Sequence, residues 1–211
     1  MSQNDDAIAF FDENAEELQK FYQKVDRAPV LAPYLEDMKR VFDNAEQAHL
    51  IDIGAGCGTD ALYMLDQFEN LTVTAVEPSE GLSGHAKAHS RLEWVSDLLP
   101  NLTELKKQVK ENMAHAILMD AVFQYVDPAD HDKAFKNCAA CLKTGGRIYM
   151  NFPNKKTRDY QFTLEPNAVE RAALEAGFAL HHHEIVDPHN TRRSQSGQEI
   201  KFIYFTFIKE G

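Results

Sequence analysis

The sequence is short of cysteine, of basic charge and of long apolar runs. Three cysteines are too few for a disulfide framework, and one of them lies between two glycines, so a reducing, cytoplasmic setting is expected. No apolar stretch approaches the ~20 residues that a membrane span needs. The acidic start Met1-Ser2-Gln3-Asn4-Asp5-Asp6 has neither the basic nor the apolar part of a secretion signal. Basic side chains number 22 against 33 acidic ones, a formal net charge of −11. That balance argues against nucleic acid or an anionic membrane as the main partner, because both call for clustered Lys and Arg. Internal repeats, low-complexity tracts and linkers are also missing. What is present is 211 residues, 44% hydrophobic and 26% charged, which suits one globular domain with an ordinary core.

Apolar side chains at Ile8, Phe11, Leu18, Phe21, Tyr22 and Val25 are spaced by threes and fours, which predicts an amphipathic helix over 7–25. Tyr34, Leu35, Met38, Val41 and Phe42 predict a second helix after Pro33. Phe21, Tyr22 and Tyr34 suit either a packing layer or a lid that closes over a ligand. From His49 onward, strands predicted at 50–53, 71–76, 92–95, 114–119 and 147–152 alternate with helices at 60–67, 79–89, 102–109 and 128–142. Asp127 is the expected cap of the last helix, Pro128 its first residue, and Gly145-Gly146 should lie just past its end. Such alternation predicts a parallel sheet with helices on both faces. After a polar stretch at 154–165 and a helix opened by Pro166, strands at 179–186 and 200–208 are joined by the polar loop 187–198 without a helix, so an antiparallel pair should end the sheet.

The chemistry gathers at Leu50-Ile51-Asp52-Ile53-Gly54-Ala55-Gly56-Cys57-Gly58-Thr59-Asp60. A strand that stops in glycines and passes into a helix lets a ligand approach backbone closely, near unpaired N–H groups. The spacing is G-x-G-x-G, one residue short of the dinucleotide pattern. Asp52 and Asp60 flank it, which disfavours phosphate and suits a cationic ligand. The second strand ends at Val76-Glu77-Pro78-Ser79, where a carboxylate is placed to accept both hydroxyls of a ribose. The third is followed by Ser96-Asp97-Leu98, where Asp97 suits an amino group such as that of adenine and Leu98 a ring face. Helix capping is the competing role for such acids, and it fits Ser79 and Asp127 better than Glu77 and Asp97.

These segments resemble the class I S-adenosylmethionine-dependent methyltransferases over roughly residues 48–152. Asp52-Ile53-Gly54-Ala55-Gly56-Cys57-Gly58 is similar to the first motif of that family, Ala75-Val76-Glu77-Pro78-Ser79 to the second, and Trp94-Val95-Ser96-Asp97-Leu98-Leu99 to the third. Met119-Asp120-Ala121-Val122-Phe123-Gln124-Tyr125-Val126 resembles the segment after the fourth strand. Leu142-Lys143-Thr144-Gly145-Gly146-Arg147-Ile148 resembles the turn into the fifth, with Thr144 in place of proline. The resemblance implies an α/β fold: a Rossmann-like, seven-stranded, mostly parallel sheet with helices on both faces, the last strand antiparallel, and an N-terminal helical lid. Residues 1–46 would form the cap and 47–211 the S-adenosylmethionine-binding part of a single compact domain. Gly54, Ala55, Gly56 and Gly58 would hold the methionine part of S-adenosyl-L-methionine, with Asp52 and Asp60 beside them. Glu77 would take the ribose and Asp97 the adenine amino group, with Pro78, Ser79 and Leu98 adjoining. Asp120 and Ala121 would form the floor near the sulfonium.

The expected activity is methyl transfer to a small-molecule acceptor. A non-catalytic module that binds the cofactor or its demethylated product is the alternative, and a nicotinamide-dependent oxidoreductase is disfavoured by the glycine spacing. The (N/D)-P-P-(Y/F) sequence of many base- and amide-directed relatives is absent at Asp120-Ala121-Val122-Phe123, and Asn151-Phe152-Pro153-Asn154 stands after the wrong strand. Asp120, Tyr125, Tyr22 and Tyr34 are candidate bases, none favoured, so no catalytic residue is assigned. Lys155, Lys156, Arg158, Arg192 and Arg193 fit a solvated surface better than an anion site. Cys138-Ala139-Ala140-Cys141 lies too late in its helix for redox work. His181-His182-His183-Glu184, with Asp187 and His189, lacks a third fixed ligand for a metal, and no metal is expected.

Overall fold

A computed structural model describes residues 3–109, 114–186 and 199–211. Three helices come first: α1 (Gln3–Glu13), α2 (Ala15–Tyr22) and α3 (Arg27–Asp43). The strands are β1 (Ala48–Ile53), β2 (Leu71–Val76), β3 (Leu92–Val95), β4 (Ala114–Asp120), β5 (Leu142–Pro153), β6 (Phe178–Val186) and β7 (Phe202–Lys209). Between them lie α4 (Thr59–Gln67), α5 (Glu80–Gly84), α6 (Thr103–Gln108), α7 (His131–Cys141) and α8 (Pro166–Glu175). One seven-stranded sheet has the order β3-β2-β1-β4-β5-β7-β6, and β7 runs antiparallel to both of its neighbours. The mostly parallel sheet with an antiparallel end is thus present.

The sheet is buried on both faces, as a parallel sheet flanked by helices must be. Ile51, Ile53, Ile117, Met119, Ile148 and Met150 belong to one core. Leu50, Ala48, Ala116, Leu118 and Tyr149 belong to the other, together with Leu31, Tyr34, Met38 and Phe42 of α3. Because side chains alternate along a strand, Asp52 and Asp120 share the face of Leu50 and Leu118, beneath α3 and α4. Order reverses between β1 and β4, so the carboxyl ends of these strands open the crevice where ligands of such sheets sit.

Several boundaries differ from those the sequence predicts. The first helix is two, broken at Asn14, whose backbone (φ −110, ψ 14) leaves the helical region and whose amide donates to the Phe10 carbonyl. The next helix begins at Arg27, and Pro33 lies inside it. Asp26 caps it by accepting from the Ala28 N–H at 3.0 Å, and four large buried side chains on α3 offset the backbone bond that proline cannot make. Helix α5 covers only Glu80–Gly84 of the predicted 79–89, two of its five residues being glycine. Asp127 and Pro128 start a single 3-10 turn that leads into α7. Gly145 and Gly146 lie within β5, which begins directly at Leu142.

Candidate functional site

A cavity of about 510 Å³ opens at the carboxyl ends of β1, β2 and β4, beneath α1 and α2. Its floor is the glycine turn. The Gly54 and Ala55 N–H groups both donate to the Val76 carbonyl, at 2.8 and 3.1 Å, which folds the turn back over β2. Gly54 has φ +71, and a Cβ there would stand 2.4 Å from Cγ2 of Val122, so it must be glycine on two counts. Gly56 has φ +56, but a Cβ there would meet only Leu82, at 4.0 Å. Its open side is the cavity itself.

Glu77 and Asp97 both line the cavity, and both already hold backbone. Glu77 accepts from the Gly56 N–H at 2.8 Å through one oxygen and from the Ser79 N–H at 2.9 Å through the other. Burial raises its pKa, and those two hydrogen bonds oppose the rise. Asp97 accepts from Leu98, Glu104 and Leu105 N–H groups at 2.7–2.9 Å and so caps α6. Ser79 and Asp127 also cap, as expected, but assigning the capping role away from Asp97 was wrong. The helix that Asp97 caps begins six residues on, at Thr103.

Sequence reasoning missed Arg27, the first residue of α3. It is 8% exposed and lines the cavity, and its Nε pairs with Asp60 while Nη2 donates to Asp120 at 2.5 Å. Burial disfavours its charge, yet the two carboxylates outweigh burial and hold the guanidinium above its ordinary pKa. The net result corrects the view of Asp60 as an open negative charge: its compensation is built in. Asp120 is fixed from the other side by the Asn151 amide, and Asn151 Oδ1 accepts from the Ala121 N–H at 3.0 Å. That pairing holds Ala121 at φ +55, a left-handed conformation rare for a side chain with a Cβ.

Asp52 lies directly below. It is 1% exposed, and its Oδ2 has no hydrogen-bond partner among the described residues. Burial raises its pKa well above the usual carboxylate range, helped by Asp60 and Asp120 and opposed by Arg27. A carboxyl raised in the fold contributes most below its unfolded value, and that contribution is lost as pH rises through the folded value. Urea unfolding of Asp52→Asn is therefore expected to show the variant gaining on wild type as pH rises from 4 to 8. A constant difference across that range would contradict a buried, strained carboxylate.

Besides the glycine floor, the cavity has aromatic walls. Phe11 of α1 meets Tyr125 edge to face at 5.6 Å, and Phe21 and Tyr22 of α2 also line it. From the stretch after β5 come Thr157, Arg158 and Gln161. Gln161 is buried; its Nε2 donates to the Tyr125 hydroxyl at 3.0 Å, and its Oε1 accepts from both Thr157 N–H and Oγ1. The N-terminal helices are tied down by Asp12, which accepts from Ser79 Oγ at 2.6 Å and the Gly81 N–H at 2.9 Å. Tyr34 is not a lid residue: it is fully buried against Tyr149 and Tyr204, each at 5.3 Å.

Other sequence candidates lie elsewhere. Cys138 and Cys141 are buried and free, and burial pushes both thiols up, Cys141 to about 11. His181 faces Asp37 at 3.6 Å, His182 approaches Glu184 at 3.5 Å, and His183 stacks on Phe205 at 4.4 Å. These three histidines therefore point to three different partners, while Asp187, His189, Arg192 and Arg193 fall outside the described residues. Lys155 and Lys156 are exposed, but Arg158 is a cavity residue and not a merely solvated one.

Residues 50–146 match the protein family described as a methyltransferase domain. The ubiquinone biosynthesis O-methyltransferase of Coxiella burnetii is 26% identical over 140 residues, 64% of this chain and 55% of that protein. The chain thus spans about half the length of the curated relatives it matches. Among solved structures, the 1,6-didemethyltoxoflavin-N1-methyltransferase of Burkholderia thailandensis, with 1,6-didemethyltoxoflavin and S-adenosylhomocysteine bound, is 17% identical. It superposes with a TM-score of 0.69 over 97% of this chain and 88% of that one. A SAM-dependent methyltransferase of Leishmania major is 16% identical with a TM-score of 0.71, over 97% and 82% of the two chains. At these identities the structural likeness speaks for the fold.

Proposed function

We propose that this chain is a class I S-adenosylmethionine-dependent methyltransferase and that this cavity passes a methyl group from S-adenosylmethionine to a small-molecule acceptor. The residues present fit the cofactor. Gly56 leaves open the space a Cβ would fill, and about 510 Å³ falls within the range of roughly 300–1,000 Å³ usual for small-molecule sites. Each Glu77 oxygen spends one lone pair on backbone, which leaves room for two ribose hydroxyls. Asp97, with Leu98 and Pro78, would take the adenine end. Gly54, Ala55, Gly58 and Ser79 shape the turn, Arg27 would meet a carboxylate, and Asp60 and Asp120 an ammonium. When bound, S-adenosylmethionine supplies a methyl group activated by a sulfonium.

The observation that carries catalysis over mere binding is the aromatic and polar lining that the cavity has besides the residues fitted to the cofactor. A module that only held the cofactor would need no such lining. Asp120 is engaged by Arg27 and Asn151, so it is not a free base, and burial raises the Tyr125 hydroxyl. These residues therefore work by positioning the acceptor and excluding water, which is what an in-line displacement mainly requires. Helices α1 and α2 act in this reading as the cap over the cavity, while α3 packs in the core. No helix among the described residues is long and apolar enough to cross a membrane. Three free, buried cysteines support a cytoplasmic place of work.

Single-turnover incubation with labelled S-adenosylmethionine and a broad panel of small acceptors tests the activity. Label transfer is expected; tight cofactor binding with no acceptor labelled would favour the binding module. Gly56→Ala tests the cradle. A left-handed alanine costs roughly 1–2 kcal/mol, so the variant should fold, yet its methyl group enters the cavity and should weaken S-adenosylhomocysteine binding. Unchanged affinity in titration calorimetry would place the cofactor elsewhere.

A further inference from the structure

The ionisable groups around the cavity do not all find partners. Asp60 and Asp120 neutralise Arg27, and Glu77 and Asp97 hold backbone N–H groups. Arg158 is the exception. Among the described residues no carboxylate pairs with it, and its guanidinium carbon lies over the Phe10 ring, 4.2 Å from the centroid. Its charge pulls the Tyr160 and Tyr125 hydroxyls down against the burial that raises them. A guanidinium held over an aromatic ring keeps donors at its edge for a carboxylate or phosphate, which among the described residues would here compete only with the Tyr160 hydroxyl.

A second, independent observation lies in the same cavity. Gln124 is 3% exposed, and its Nε2 donates to the Ala121 carbonyl at the end of β4. That bond fixes which way the amide points. The Oε1 atom is left buried without a hydrogen-bond partner among the described residues, the side chain's other polar neighbour being the Tyr125 hydroxyl. A buried carbonyl without a partner costs free energy, and a ligand N–H or O–H would remove that cost. Gln124 lines the cavity close to the glycine turn, because Val122, two residues before it, adjoins Gly54.

We propose that Arg158 determines acceptor specificity by pairing with an anionic group, and that Gln124 Oε1 accepts the hydrogen of the acceptor's hydroxyl or amine. The aromatic walls, Phe11, Tyr22, Tyr125 and Phe202, favour a planar ring between the two. The acceptor class is then a small aromatic acid bearing a hydroxyl or amino group. This inference rests on the methyltransferase reading for the identity of the neighbouring cofactor site, and its test separates the two.

The full chain is titrated first with S-adenosylhomocysteine, then, when loaded, with the three hydroxybenzoate isomers and the matching uncharged hydroxybenzamides. Benzoate lacks the donor, and the hydroxyphenyl phosphates distinguish a phosphate preference from a carboxylate one. At least one hydroxy acid is expected to bind about tenfold more tightly than its amide and more tightly than benzoate. Arg158→Gln should erase the preference for the anion. Arg158→Lys, which keeps the charge, should retain most of it, and both variants should bind S-adenosylhomocysteine as wild type does. Acids and amides binding alike would overturn the proposal. So would equal losses in both variants accompanied by weaker S-adenosylhomocysteine binding, since Arg158 would then serve only to pack the cap. Failure of S-adenosylhomocysteine to bind wild type would instead overturn the cofactor assignment.

Discussion

Arg27→Gln is expected to lower stability by about 3–5 kcal/mol at neutral pH, the usual cost of removing one partner from a buried ion cluster. The substitution leaves Asp60 and Asp120 facing each other, with Asp52 beneath and no cation between them. The loss should shrink toward low pH as Asp52, whose raised carboxyl Arg27 helps to keep ionised, takes up its proton, which urea unfolding at several pH values reads directly. Arg27→Lys should recover only part of it, because a point charge cannot reach both carboxylates as the planar guanidinium does. Cofactor binding is expected to fall with stability, since the same cluster anchors α3 at the mouth of the cavity. A loss below about 1 kcal/mol for Arg27→Gln would mean the cluster is solvated and not a structural keystone.

Glu77→Ala is expected to weaken S-adenosylhomocysteine binding by about 1–3 kcal/mol, roughly 5- to 150-fold, through loss of charge-assisted bonds to the ribose and release of the glycine turn. Glu77→Gln separates these effects, because it keeps the shape while one of its two end atoms becomes a donor. The pH dependence of its stability has a definite sign. Burial raises the Glu77 pKa above 4.5, so its contribution is fullest below that value and is lost as pH rises through the folded value. Glu77→Gln should therefore compare better with wild type at pH 7 than at pH 4. Unchanged S-adenosylhomocysteine affinity in a folded Glu77→Ala variant would remove Glu77 from the site.

The features legible in the sequence are those made by near neighbours in the chain. β2 and β3 begin and end at their predicted residues, because their apolar runs are bounded by polar or glycine-rich turns. The Gly54–Gly58 turn, Glu77 and Asp97 could be located because each follows directly on a strand. What stayed hidden depends on distant partners. Arg27 meets Asp60 and Asp120 across 33 and 93 positions, and nothing beside it in the chain marks it. Asn151, near the end of the fifth strand, reaches Asp120 across 31 positions and braces the floor beneath Ala121, which nothing near it in the chain marks. Arg158 resembled a surface residue because Lys155 and Lys156 beside it are exposed, whereas Phe10 of α1 holds it at the cavity. Tyr34 failed as a lid residue for a related reason: its partners Tyr149 and Tyr204 come from strands far along the chain.

The most direct test of the central claim is titration calorimetry of the full chain with S-adenosylhomocysteine and, separately, with NAD. Saturable binding of S-adenosylhomocysteine at one site per chain, with no heat from NAD, is the expected result. Binding of NAD in place of S-adenosylhomocysteine, or of neither, would contradict the assignment of this cavity to a sulfonium nucleoside.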